Sequence, residues 1–504
     1  MRRRQFLGRA TGMGMVMAMG SSFWTRALSA PAQPGESPYG ELLAPDGNGL
    51  MLPEGFTSRV IATSFAVVPG TTYLWPAFPD GGACVPTDDG WIYVVNSENP
   101  PPADVPVVTS LTEFIGQGAV SAVRFDVDGS VTQAYPILTR SQSNCAGGLT
   151  PWGTWLSCEE YEETEAPYLA GKVWECDPFG VEPAIDRPSL GRFKHEMAAV
   201  DTERHRIYLT EDLADGLFYR YTPPDGVWGS GAALAGGTMD AMAVAGDGSV
   251  TWLPVPGVDA AASALRGTVP GATTFNGGEG AIYDGGHVYI TTKGDDRVWD
   301  HDIEAETMTV LYDATEFTPR VLSGVDNIIV SAANDLYVSE DGGNLEVCII
   351  TPDLVVAPVL RLTGPQHGLE NPTPVTTVSE VTGLAFSPDG NRLYFNSQRG
   401  NGLPGVGGAV RFPGPGITYE VTGPFRGGTL ASAPPAPQAP PSAPETTPAP
   451  TARPPAAPPG SGGNLPATGA GSQAAVATAV GAAGAALWAL RRRVDPEPEP
   501  PGPT

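Results

Sequence analysis

Acidic and amide groups recur beside short apolar runs throughout the middle of this sequence. Asn96-Ser97-Glu98, Cys158-Glu159-Glu160, Glu211-Asp212, Asp295-Asp296, Glu340-Asp341 and Gln398 each follow such a run. Cys145, Lys194-His195-Glu196, Glu279, Asp326-Asn327 and Glu380 each precede one. Carboxylates gathered at one place repel one another and raise their own pKa values unless cations fill the space between them. Hard oxygen donors suit Ca²⁺, Fe³⁺ or similar ions. The competing reading is a set of solvated loop acids. Cys145 stands in Ser143-Asn144-Cys145-Ala146-Gly147-Gly148, and a thiolate there would favour a transition metal over Ca²⁺ alone. A buried small residue or a disulfide are the alternatives for Cys145, and Cys158 with Cys176 is a candidate disulfide. No GxxxxGK[ST] loop, no Gly-x-Ser-x-Gly elbow and no HExxH motif occurs, which sets aside a phosphate loop, a serine hydrolase and a typical zinc protease. Of the 5 His, His195 alone lies beside the acids, where packing or support of a ligand suits it better than ligation.

The elements that must position these groups show as a repeated phrase, an aromatic among apolar residues closed by a small or polar one. It appears in Ile92-Tyr93-Val94-Val95, Thr154-Trp155-Leu156-Ser157, Ile207-Tyr208-Leu209-Thr210, Val288-Tyr289-Ile290-Thr291, Leu336-Tyr337-Val338-Ser339 and Leu393-Tyr394-Phe395-Asn396. Turn signals such as Asp89-Gly90, Asp284-Gly285-Gly286 and Asp389-Gly390 precede several copies, with a further apolar run ahead of them. These read as β-hairpins. Their spacing predicts an all-β, six-bladed β-propeller over residues 40–425, in preference to an irregular β-sandwich. In a hairpin the start of the first strand lies beside the end of the second, so the acids on both sides would share one mouth. Composition agrees: 64 Gly and 53 Pro in 504 residues, with 16% charged, argue against a mainly helical protein. A formal charge of −27 argues against a nucleic-acid partner. A monomer is expected.

The two ends read as an address and an anchor. Residues 1–30 combine Arg2-Arg3-Arg4-Gln5-Phe6-Leu7, an apolar stretch and Ala27-Leu28-Ser29-Ala30. This is a signal peptide of twin-arginine type, or else an ordinary secretory one. Residues 427–464 form a Pro/Ala-rich linker, with 12 prolines between Pro434 and Pro459, expected to be a disordered stalk. Within residues 465–493, Leu465-Pro466-Ala467-Thr468-Gly469 precedes an apolar stretch and Arg491-Arg492-Arg493. That stretch is long enough for a single transmembrane helix, and the order resembles a Gram-positive sortase sorting signal; plain membrane anchoring is the alternative. The 494–504 tail is longer than such signals usually carry. Both readings place the globular part outside the cell, at the cell wall or the outer face of the plasma membrane.

Asn144-Cys145-Ala146-Gly147-Gly148, Thr150-Pro151-Trp152-Gly153-Thr154-Trp155 and Cys158-Glu159-Glu160 together resemble the signature of the PhoX-type alkaline phosphatases. The likeness continues through Gly191-Arg192-Phe193-Lys194-His195-Glu196, Asp326-Asn327, and Glu380-Val381-Thr382-Gly383 with Phe386-Ser387-Pro388-Asp389-Gly390, over most of residues 45–425. The resemblance implies a six-bladed propeller that hydrolyses phosphomonoesters with ferric and calcium ions around a bridging oxo group. Carried across, it makes Cys145 the iron-binding thiolate and Glu160, Glu196, Glu279 and Glu380 the foremost carboxylate ligands. Asn96, Glu98, Glu211, Asp212 and Asp326 are weaker candidates. Two departures stand out. Gly277-Gly278-Glu279 occupies the place of the family's Arg-Pro-Glu, and Thr210-Glu211-Asp212 that of its Gly-Asp-Asp. A phosphate-clamping arginine is thus missing there, and Lys194, Lys293, Arg297 and Arg399 are candidates to replace it, Lys194 and Arg399 being the expected catalytic cations. The expectation is an exported, surface-attached Ca²⁺/Fe³⁺-dependent hydrolase of small phosphate esters. A non-enzymatic calcium-stabilised propeller for cell-surface binding, and a propeller lactonase or esterase, are the alternatives.

Overall fold

The structure, a computed structural model, describes residues 31–99, 120–161, 171–258, 264–367, 379–400 and 415–428. The signal peptide, the stalk, the Leu465–Gly469 motif and the transmembrane segment expected from the sequence lie outside the described residues. Among those described, strands dominate, the helical segments are short 3-10 turns, and no helix is long and apolar enough to cross a membrane.

Six sheets, antiparallel but for Gln33–Pro34 pairing parallel with Val355–Val356, form six blades of a β-propeller. Blade 1 runs Pro79–Thr87, Gly90–Ser97, Val120–Asp126, Val131–Leu138. Blade 2 runs Asn144–Leu149, Trp155–Glu159, Val173–Cys176, Ile185–Asp186. Blade 3 runs His195–Asp201, Arg206–Glu211, Gly216–Thr222, Thr238–Val244, and extends to a fifth strand, Val250–Pro254. Blade 4 is Gly278–Asp284, His287–Thr292, Arg297–Asp302, Thr307–Asp313, and blade 5 is Val325–Val330, Leu336–Glu340, Glu346–Ile350, Val355–Leu362. Blade 6 takes Val381–Phe386, Arg392–Ser397 and Ile417–Thr422, and its outer strand is the N-terminal segment Thr57–Thr63, paired Thr57↔Thr422 to Thr63↔Ile417. The first strand of each blade packs on the first strand of the next, and blade 6 returns to blade 1, so the ring closes around an axis lined by first strands.

The repeated sequence phrase is the second strand of every blade. Its aromatic residue (Tyr93, Trp155, Tyr208, Tyr289, Tyr337 or Tyr394) is fully buried in each. Strand alternation sends neighbouring side chains to opposite faces, and each face is covered by the adjoining blade. The apolar core is accordingly a set of wedges between blades: Ile92 and Val94 against Trp155 and Cys176 between blades 1 and 2, and Leu156 and Cys158 against Leu209 and Tyr219 between blades 2 and 3. This explains a departure from the sequence reading. Cys158 opposes Val173 and Cys176 opposes Trp155, the two thiols enter different wedges on opposite faces of blade 2, and both are free. The candidate disulfide is not formed.

Candidate metal centre

Each first strand carries a β-bulge near its start, at the same register in blades 1 to 5. The pairing shifts between Pro79 and Gly82, Asn144 and Gly147, His195 and Ala198, Gly278 and Ala281, and Val325 and Ile328. Blade 6 shifts between Thr382 and Ala385. A bulge sets two residues against one and re-aims the first of them. The first bulge residues of blades 1 to 5 are Asp80, Cys145, Glu196, Glu279 and Asp326, all buried. In blade 6 that place belongs to Gly383, with φ +70°, where a Cβ would lie 2.5 Å from the Asp80 carbonyl; Glu380, just ahead of the strand, supplies the carboxylate instead.

Three groups of ligand atoms result, each within 4.8 Å: Cys145, Glu160 and Glu196; Glu196, Glu279 and Asp326; and Asp80, Glu98 and Glu380. Glu196 belongs to two of them. It is fully buried, and neither of its carboxylate oxygens has a hydrogen-bond partner among the described residues. Burial, then Glu279 and Glu160, pushes its pKa well above the usual carboxylate range. Burial does the same to Asp80, with Glu98 adding to it, and to Glu279, with Asp212 adding to it. Burial and then Asp80 and Glu196 hold the Cys145 thiol up. A buried carboxylate without a donor, beside further carboxylates and a thiol, is the arrangement that cations relieve. The donor set fits oxygen-preferring ions together with a thiolate-accepting one.

A second circle comes from the residues that follow the second strands. Glu98, Glu160, Asp212, Lys293 and Asp341 stand one place beyond the last pair in blades 1 to 5, and blade 6 contributes Gln398 and Arg399. Gln398 Nε2 donates to Glu98 Oε2 at 2.8 Å and also to Asp80. Lys194 Nζ lies 3.2 Å from Glu160 and 3.9 Å from Asp212. Lys293 Nζ lies 2.6 Å from Glu279 and 3.1 Å from Asp341. Arg399 grips Glu380 with two contacts, 2.9 and 3.0 Å, and reaches Asp341 at 3.6 Å. Burial works against the Lys293 ammonium, but Glu279, Asp341 and Asp212 outweigh it and raise its pKa.

The structure thus brings Cys145, Glu160, Glu196, Glu279, Asp326, Glu98 and Glu380 together, with Asp212 at their edge beside Lys194. Glu211 does not join them. One residue before Asp212, it points the other way, into its own blade, and accepts from Leu217 N, the Tyr219 hydroxyl and Arg266. Glu159 and Glu340, at the same register in blades 2 and 5, are used alike: they accept from Lys172 N, just ahead of the third strand, and from Glu346 N, at the start of its third strand. Asn96 is not a ligand either, because its amide bonds the Cys145 and Ala146 carbonyls, Trp155 Nε1 and the Ser157 hydroxyl. Asp295 and Asp296 pair with Arg297 and Arg320, and Arg297 also binds Asp313, away from the axis. His195 bonds the Gly191 carbonyl at 3.2 Å and packs on Phe193; burial lowers its pKa to about 3, so it is neutral.

Asp80 was not among the residues the sequence singled out. Pro79-Asp80-Gly81-Gly82 reads as a turn, yet Asp80 occupies the place in blade 1 that Glu196 and Glu279 occupy in theirs. The interval from bulge residue to buried aromatic differs between blades, 12 from Glu196 to Tyr208 and 13 from Asp80 to Tyr93, so no fixed count back from the phrase reaches it.

A family model described as alkaline phosphatase PhoX matches residues 127–310, the stretch that carries Cys145, Glu160, Glu196 and Glu279. No curated protein matches the chain. Among solved structures, Pseudomonas fluorescens PhoX in complex with vanadate, a transition state analogue, is similar with a TM-score of 0.57 at 17% identity, covering 78% of this chain and 97% of that one. The likeness is one of fold. A putative gluconolactonase (TM-score 0.34, 15% identity, 74% and 93% covered) and the PQQ domain of a pyranose dehydrogenase from Coprinopsis cinerea (0.41, 10%, 78% and 100%) are more distant and carry no weight for function.

Proposed function

We propose that the chain is a metal-dependent phosphatase acting on small phosphate monoesters at the axis of the propeller. The observation that carries this reading is the convergence of Asp80, Cys145, Glu196, Glu279 and Asp326 from five successive bulges, with the buried Glu196 carboxylate lacking any donor among the described residues. The match of residues 127–310 to the alkaline phosphatase PhoX model supports the reaction class. The sulfur donor suits iron at the Cys145, Glu160, Glu196 group, and the all-carboxylate groups suit Ca²⁺. Bound there, the ions would supply positive charge to the phosphoryl oxygens and activate the attacking oxygen.

The protein's own cations do the rest. Lys194, Lys293 and Arg399 rim the carboxylates, each anchored by an ion pair that fixes its position. They would draw the phosphate dianion to the mouth and hold its peripheral oxygens, Arg399 presenting a planar donor face. Lys293 N donates to the Gly277 carbonyl at 2.8 Å, so its side chain rises beside the place where the resembling family has its arginine. The signal peptide and the C-terminal motif complete the proposal with export and attachment to the cell surface.

The test is metal analysis of purified residues 31–425, with p-nitrophenyl phosphate hydrolysis measured before and after chelation. We expect iron and calcium, turnover abolished by chelator, and Cys145→Ala that keeps calcium while losing iron and at least about a hundred-fold in turnover. Bound calcium without turnover would leave the binding or lactonase readings standing instead.

A further inference from the structure

Every bulge that aims a ligand also turns a backbone carbonyl out of its own ladder, and a buried carbonyl needs a donor. The donors come from the neighbouring blade. Asn96 of blade 1 donates to the carbonyls of Cys145 and Ala146 in blade 2, at 3.1 and 2.8 Å. The Thr210 hydroxyl of blade 3 donates to the Glu279 carbonyl in blade 4 at 2.5 Å. The Thr291 hydroxyl of blade 4 donates to the Asp326 carbonyl in blade 5 at 2.5 Å. Asn396 of blade 6 donates to the Asp80 carbonyl in blade 1 at 2.7 Å. All four donors are buried. Asn96, Thr210 and Thr291 stand at one register, opposite the bulge of their own blade. In blade 2 that register holds Cys158, and no side chain among the described residues donates to the Glu196 carbonyl.

We infer that Asn96, Thr210, Thr291 and Asn396 are positioning residues for the metal centre, each fixing the direction of a ligand borne by the following blade. The inference rests on the metal-dependent reading above. A ligand side chain is only as well aimed as the peptide that carries it, and here that peptide is pinned from outside its own sheet. Four of the five ligand-bearing bulges, those of Asp80, Cys145, Glu279 and Asp326, are therefore aligned from the adjoining blade. Removing one hydroxyl frees one bulge to rotate, which weakens ion binding without opening the apolar wedges that hold the blades together.

Thr291 gives the cleanest test. Thr291→Val keeps the shape and removes the donor; Thr291→Ser keeps the donor. Calcium affinity is measured by titration calorimetry on the chelator-stripped protein, and Tm is measured with and without the ion. We expect Thr291→Val to bind calcium about 10- to 100-fold more weakly and to lose much of the ion-dependent rise in Tm, on top of a fall in chelator from the Asp326 carbonyl left without its donor, with Thr291→Ser close to wild type. Wild-type affinity in Thr291→Val, or an equal fall of Tm with and without ion at unchanged affinity, overturns the inference. A wild-type protein that takes up no ion overturns the metal-dependent reading itself. If Thr291→Val does not fold, Thr210→Val against Thr210→Ser reads the effect at Glu279, together with the loss of the acceptor for Met197 N next to Glu196.

Discussion

Glu196 is the residue on which the centre turns, shared by two ligand groups and unsatisfied by any donor among the described residues. Its carboxylate is a liability to the ion-free fold and an asset to the loaded one. Glu196→Gln should therefore stabilise the protein in chelator by on the order of 1 kcal/mol at pH 8 while abolishing ion binding at both groups; thermal melts with and without Ca²⁺ check both halves, and a destabilised ion-free variant would sink the argument. Chemistry at this scale was only partly legible in the sequence. Cys145, Glu196 and Glu279 stand out because each opens an apolar run. Asp80 hid because a carboxylate before two glycines is also what a turn looks like. Glu211 and Asp212 are adjacent acids, and only strand parity decides which of them faces the axis.

Parity is a property of elements, and it separates two uses of carboxylates within a single strand. Glu159, Glu211 and Glu340 end their second strands and turn into the blade to receive backbone N–H groups, while the next residues face the axis. Glu211→Ala should then lower stability by roughly 1–3 kcal/mol, since it leaves the buried Leu217 N without its acceptor and takes one from the Tyr219 hydroxyl and from Arg266, which keeps Asp215, and leave metal content unchanged. Denaturant melts and metal analysis together decide this, and a loss of ions would return Glu211 to the centre. The second strands themselves were legible, because an aromatic within an alternating apolar run is a strong local signal. The bulges were not. A bulge is a relation between two strands, and nothing in Cys145-Ala146-Gly147 alone announces it.

At the scale of the whole molecule the six-bladed ring was legible from the repeat, while its closure by Thr57–Thr63 and the fifth strand of blade 3 depend on pairing between distant segments. The ring collects many acids at one mouth, and their raised pKa values make ion-free stability depend on pH. Unfolded, these carboxyls release protons near pH 4. Folded, burial and mutual repulsion hold them protonated to higher pH, with Asp326 reaching about 8. Over that interval the folded state binds the more protons, so its stability falls as pH rises. In chelator, Tm should decline from pH 5 to pH 8, and the rise produced by added Ca²⁺ should grow over the same range, because ions then displace fewer protons. A Tm in chelator that climbs across this range would contradict the assignment of these acids.

The seam of the ring has a kinetic side. The Asp80, Glu98 and Glu380 group draws on blades 1 and 6, and the N-terminal segment that leads into blade 1 is held in blade 6 by a strand pair, Thr57–Thr63 with Ile417–Thr422, whose partners lie at opposite ends of the propeller sequence. Contacts of such long sequence separation form late and slowly. A chain still being synthesised can fold its middle blades, but it has no partner for Thr57–Thr63 until Ile417–Thr422 has emerged. An ion bound at the seam would hold together the two ends of a finished ring, and calcium should slow unfolding by delaying the separation of blade 6 from blade 1.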